Sequence, residues 1–135
     1  MSRRNHTQPI RSERGQTAVE FALVAPFLVM LLLAILQLGI LFNHYLTITD
    51  AARAGARRAV VSRIASVTPA QVETSVRAAA PGLDQSKLKV VVGDPTPTVA
   101  GSNVTVTVTY PYSINILGFV VKAGNLTSTM TDRLE

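Results

Sequence analysis

From Phe21 to Phe42 the only clearly polar side chain is Gln37, and this stretch limits what the chain can become more than any other part of it. As an α-helix its roughly 22 residues span about 33 Å at ~1.5 Å per residue, enough to cross a bilayer core of ~30 Å. A secretory signal has a shorter apolar core, ~7–15 residues, followed by a small-residue cleavage site. Here the run is too long, and Gln37-Leu38-Gly39-Ile40-Leu41-Phe42 makes a poor site, so the sequence predicts a retained membrane helix. Pro26 falls inside it. Its ring removes one backbone hydrogen bond and predicts a kink, which membranes tolerate when neighbouring groups compensate.

The chain has 135 residues, which leaves room for this helix and one small domain. A domain of about 70 residues has a thin core and calls for packing partners. With no cysteine, a disulfide framework, a zinc knuckle and a thiol nucleophile are all excluded. The net charge of +5 would suit a nucleic-acid binder, but its distribution argues otherwise. Arg3, Arg4, Arg11 and Arg14 precede the apolar run, and Arg53, Arg57, Arg58 and Arg63 follow it. Basic flanks are the pattern of membrane topology and headgroup contact. They lack interleaved aromatics or a reading motif, so no nucleic-acid partner is expected. Membrane lipids are. The arginine-rich leader, too short to hold a folded domain, places the N-terminus in the cytoplasm and the C-terminal part outside.

Beyond Asn43 the helical pattern continues with no Gly-Pro punctuation until Pro69, predicting one helix from near Thr17 to near Ser66. Within it Ala51, Gly55 and Ala59 recur every four residues, a line of small side chains that admits a close neighbour. That neighbour is either another subunit or the chain's own domain. Asp50, Arg53 and Arg57 form the wet face. Thr68-Pro69-Ala70-Gln71 opens a short helix: Thr as N-cap, Pro at the first position, Gln as capping partner. Val72, Val76 and Ala79 or Ala80 give it an apolar face, and Pro81-Gly82 ends it. Strands are predicted over Lys87 to Val92, over Asn103 to Tyr110, where valine alternates with threonine, and over Leu126 to Thr131. So few strands do not stand alone in water, and they should pack on the two helices. The expected fold is α+β: a long transmembrane helix continuing outside the membrane, then a small domain of one short helix and about three antiparallel strands. Its divisions are a basic leader (1–15), the long helix (16–66) and an exported domain (67–135).

Residues that could carry chemistry are few. His6 and His44 have no thiol partner, metal-ligand cluster or phosphate loop beside them. Asp84, Asp94, Asp132 and Glu135 fall in turns or near the end and read as solvated. No catalytic residue, cofactor or metal is expected, and the chain does not read as an enzyme. Glu20 is the acid that needs an explanation. A carboxylate at the bilayer centre costs ~2.5–3.5 kcal/mol on insertion scales, much less at the interface. At a helix start it also favours the helix dipole.

Arg14-Gly15-Gln16-Thr17-Ala18-Val19-Glu20-Phe21-Ala22-Leu23-Val24-Ala25-Pro26, the apolar run, and Asp50-Ala51-Ala52-Arg53-Ala54-Gly55-Ala56-Arg57 together resemble the TadE-like family. These are pseudopilins or minor pilins of the tight-adherence (Flp) pilus. The resemblance covers roughly residues 13–60. The closing Thr129-Met130-Thr131-Asp132-Arg133-Leu134-Glu135 is similar to family tails more weakly, and the middle domain matches in style only. The resemblance implies insertion in the bacterial inner membrane and cleavage between Gly15 and Gln16 by a prepilin peptidase. A glycine there leaves the peptidase cleft unobstructed. It also implies work alongside other pilin or pseudopilin subunits and the Tad assembly platform, in adhesion or a related secretion machine. Glu20 becomes the fifth residue of the mature chain, placed to pair with the new α-amino group of a neighbouring subunit. Glu20, Pro26, Ala51, Gly55 and Ala59 are the subunit-packing candidates. The competing reading is a plain bitopic anchor whose exported domain binds a ligand or envelope component.

Overall fold

The computed structural model describes residues 11–61, 67–93, 102–116 and 118–133. The leader up to residue 10, the expected last turn of the long helix at 62–66, the break at 94–97 and the final two residues lie outside them. Helix α1 runs Arg11–Val60, α2 Pro69–Ala78, and strands β1 Lys89–Gly93, β2 Asn103–Ile116 and β3 Phe119–Arg133 follow. The strands form one antiparallel sheet in the order β1-β2-β3. This is the α+β arrangement the sequence predicts. The chain divides into two compact units, one ending at Leu36 and one beginning at Gln37, with α1 contributing to both.

In the first unit, α1 starts earlier than expected. The last part of the leader, from Arg11, is already helical. Extending an existing helix costs far less than nucleating one, and Gly15 opposes it by only ~1 kcal/mol. The helix continues through Pro26, whose missing N–H leaves the carbonyl of Ala22 without its usual intrahelical donor. Phe27, Leu28, Val29, Met30, Leu31 and Leu32 are all exposed. At ~3.6 residues per turn, such a sequence of neighbours sweeps the full circumference, so every side of the helix offers apolar surface. The helix has an 18-residue window of mean hydropathy 2.6, long and apolar enough to cross a membrane.

In the second unit, α1 changes character. Ile48, Ala51, Ala52, Gly55, Ala56 and Ala59 are buried, while Asp50, Arg53, Arg57 and Arg58 are exposed. That spacing is a single helical stripe. It packs with Val72 and Val76 of α2 and with Val104, Val106, Val108 and Tyr110 of β2 in one apolar core. A Cβ on Gly55 would lie 2.5 Å from Cγ2 of Val76 and 3.1 Å from Cγ1 of Val106. The small-residue line therefore serves close approach within the chain's own domain.

Helix α2 begins with the predicted capping box. The Gln71 N–H donates to Thr68 Oγ1, and the Thr68 N–H donates to Gln71 Oε1. Arg77 ties its far end to the following loop, donating to the Gln85 carbonyl at 2.6 Å and pairing with Glu73 at 2.7 Å. In that loop Asp84 accepts from the Ser86 N–H and hydroxyl, which with nearby Lys87 hold its carboxyl below the usual range.

The open face of the sheet carries a threonine ladder, Thr105 with Thr131 and Thr107 with Thr129, hydroxyls 3.1 Å apart in each pair. The bounds of every strand differ from expectation. β1 starts at Lys89 rather than Lys87, where its pairing with Thr109 begins, and ends at Gly93 rather than Val92. β2 continues past Tyr110 to Ile116, and β3 runs from Phe119 to Arg133 rather than from Leu126 to Thr131. β1 pairs no further along β2 than Thr109, so beyond it β2 and β3 form a two-stranded ribbon. Pro111 is tolerated there because one edge of β2 has no partner strand.

Replacing Gly55 with leucine is expected to overpack the junction of α1, α2 and β2, at a cost of ~1–3 kcal/mol. Thermal denaturation of the detergent-solubilised chain, at about 4–8 °C per kcal/mol for a domain of this size, is the measurement. An unchanged midpoint would show that the junction relaxes freely.

Candidate functional site

Two groups of residues merit attention as sites, one in each unit. In the first, Gly15, Gln16 and Glu20 are exposed at the head of α1. The Gln16 side-chain amide donates to Glu20 Oε1 at 3.0 Å, one helical turn apart. A Cβ on Gly15 would meet nothing within 4 Å, so its lack of a side chain answers no packing demand here. The arrangement is an accessible glycine followed by a carboxylate held by a neutral donor. Residues on both sides of Gly15 are helical, so a peptidase that needs extended backbone would first unwind this turn. Pro26 is also exposed, in the apolar part of the same unit.

The remaining packing candidates do not join this group. Ala51, Gly55 and Ala59 belong to the second unit and are buried in its core. Of the two neighbours the stripe admitted, the structure supplies the chain's own domain.

A second group was not foreseen. Gln37 donates from Nε2 to the main-chain carbonyl of Asn115 at 3.0 Å, which fixes the β2–β3 ribbon against α1. Around it lies a cleft of ≈ 190 Å³ whose lining includes Gln37, His44, Tyr110 and Tyr112. The His44 and Tyr110 rings meet edge-on, centroids 5.4 Å apart. The Tyr110 hydroxyl accepts from the Asp84 N–H at 3.3 Å, so this ring bridges α1 and the α2–β1 loop. Near the ribbon end the register shifts: Ile114 pairs with Lys122 and Asn115 with Val120, leaving Val121 as the bulged residue. Gly118, at φ 87°, makes the turn between paired Ile116 and Phe119. Two sequence signals pointed here: one polar residue in the apolar run, and the apolar triplet Phe119-Val120-Val121 beside a glycine. Neither reveals its partner without the strand register. Among the described residues, no group of three or more His, Cys, Asp or Glu could hold a metal ion.

Fold and site together define a small α+β domain carried on a helix long enough to anchor in a membrane. Residues 15–57 match the family model described as TadE-like protein. The match takes in the helix head, the apolar run and most of the buried stripe. No curated protein and no solved structure matches the chain at a significant level.

Replacing Gln37 with leucine keeps the helix and removes the bond to Asn115. A hydrogen bond of this kind is worth ~0.5–1.5 kcal/mol net, so amide exchange at residues 114–120 should quicken about 2- to 10-fold. The core amides of Val104 to Val108 should be unaffected. Equal protection in the variant would mean that the bond does not hold the ribbon.

Proposed function

We propose that this chain is a pseudopilin or minor pilin of a tight-adherence pilus, a subunit of the assembly rather than a catalyst. The match of residues 15–57 to the TadE-like family carries the reading. The helix head supports it: an exposed Gly15, then Gln16 and Glu20 at the spacing of a pilin-like processing site, then apolar surface on every side of the helix. On this reading a prepilin peptidase cuts between Gly15 and Gln16, and residues 1–15 are discarded. Cutting leaves an α-amino group on Gln16 with an ordinary pKa of ~7.7–8, largely charged at neutral pH. In the intact chain Glu20 is held by a neutral amide. A charged amine from a neighbouring subunit is a stronger donor, because charge-assisted bonds are roughly twice as strong as neutral ones. Maturation thus creates the partner that sets helix register in a bundle. The partners are the peptidase, other pilin or pseudopilin subunits, the Tad platform and membrane lipids. The protein sits in the inner membrane with its N-terminus in the cytoplasm and its domain outside.

Two measurements test this. Mass spectrometry of the protein from cells with an intact prepilin peptidase should find a mature chain starting at Gln16, and Gly15→Trp should leave the longer precursor in the membrane. A wild-type chain retaining its leader would favour the plain bitopic anchor instead. Separately, a reporter active only outside the cytoplasm, fused after Glu135, should be active. A stable but inactive fusion would reverse the orientation.

A further inference from the structure

The end of the β2–β3 ribbon is unlike the rest of the second unit. Phe119, Val120 and Val121 are 78%, 63% and 64% exposed, although the core-facing residues of the same sheet are buried. Strand pairing places Phe119 on the face of Ile116, and Val120 on the opposite face with Asn115. Both faces of the ribbon therefore end in an exposed apolar side chain. A folded partner laid against the ribbon would cover one face; a fluid apolar medium surrounds both.

The height of this tip along α1 is fixed by the Gln37–Asn115 bond. Gln37 lies inside the apolar run, which continues through Leu38, Ile40 and Leu41 to Phe42. At ~1.5 Å per residue the bond sits about 7.5 Å below the end of that run. A bilayer that covers the run up to Phe42 meets Asn115, at the base of the ribbon tip, at that depth. It matches the ~5–10 Å to which interfacial elements sink into the headgroup–acyl boundary. Two further features fit the boundary. Lys122, exposed and paired with Ile114 just behind the tip, can reach headgroup phosphates on its long stem. The Gln37 amide, costly in lipid if unpaired, is satisfied by a main-chain carbonyl. An open ribbon edge cannot enter the hydrocarbon core, so the tip stops at the boundary.

We propose that the end of the β2–β3 hairpin, at Ile116 and at Phe119 to Val121, is a second membrane contact, dipping into the leaflet from which α1 emerges. It rests on the reading of α1 as a membrane anchor. The hairpin then fixes the rotation and height of the domain on the bilayer surface, which a single helix leaves free.

The cysteine-free chain permits a direct test. Val120→Cys, Phe119→Cys, Thr131→Cys and Leu31→Cys variants of the full chain are each labelled with an environment-sensitive fluorophore. They are reconstituted in vesicles of phosphatidylethanolamine and phosphatidylglycerol. Labels at Val120 and Phe119 should be blue-shifted, quenched by lipids with shallow nitroxides, and several-fold less sensitive to aqueous iodide than the label at Thr131. The Leu31 label should be quenched by deep nitroxides. If it is not, the anchor reading falls and the insertion falls with it. If it is, but the tip labels respond to iodide as Thr131 does, the insertion alone is overturned. Tip labels shielded from iodide yet untouched by nitroxide lipids would also overturn it, assigning the tip to protein contact.

Discussion

The second unit of this protein depends on one close approach. Where α1 passes α2 and β2, the space between backbones is filled by the valines of the partners and by nothing from position 55. Alanines at 51, 52, 56 and 59 continue the same economy along the helix. A core this thin gains little from large side chains, so its stability rests on short distances: many weak dispersion contacts at optimal separation in place of bulky buried groups. The valine face of β2 suits the arrangement, because branched side chains present a firm, low-entropy surface to a helix without bulk.

The parts of the fold readable from sequence are those with a face to declare. The apolar run, the capping box of Thr68 and Gln71, and the valine–threonine alternation of β2 each answer to a local rule. The stripe of Ala51, Gly55 and Ala59 was also legible as a packing surface, but its neighbour was not. A line of small residues states how near something comes without stating what. The distal ribbon escaped notice for a related reason. Past Thr109 the sheet is two strands wide and covers no core, so no alternation is demanded of Tyr112 to Ala123, and Pro111 reads as a stop. At the helix head, Gly15, Gln16 and Glu20 are marked by spacing alone. The fold gives them an exposed position and one hydrogen bond, and their proposed use depends on a partner that reads the chain.

The two faces of the sheet divide the chemistry of the domain. One is closed by helices and dry. The other presents cross-strand threonine pairs whose hydroxyls bond each other, leaving a surface that is polar yet uncharged. Such a face stays soluble while its paired threonines expose few strong attractors. Ser128 is the exception on the inner side of β3, a small polar residue buried opposite Val108.

Helix α1 belongs to both compact units, and no glycine or proline interrupts it between Ile40 and Ala54. Within the second unit, a pull along this part of α1 acts as shear between its buried stripe and the valines of α2 and β2. The Gly55 junction then sets the load at which this part of α1 would separate from the rest of the unit.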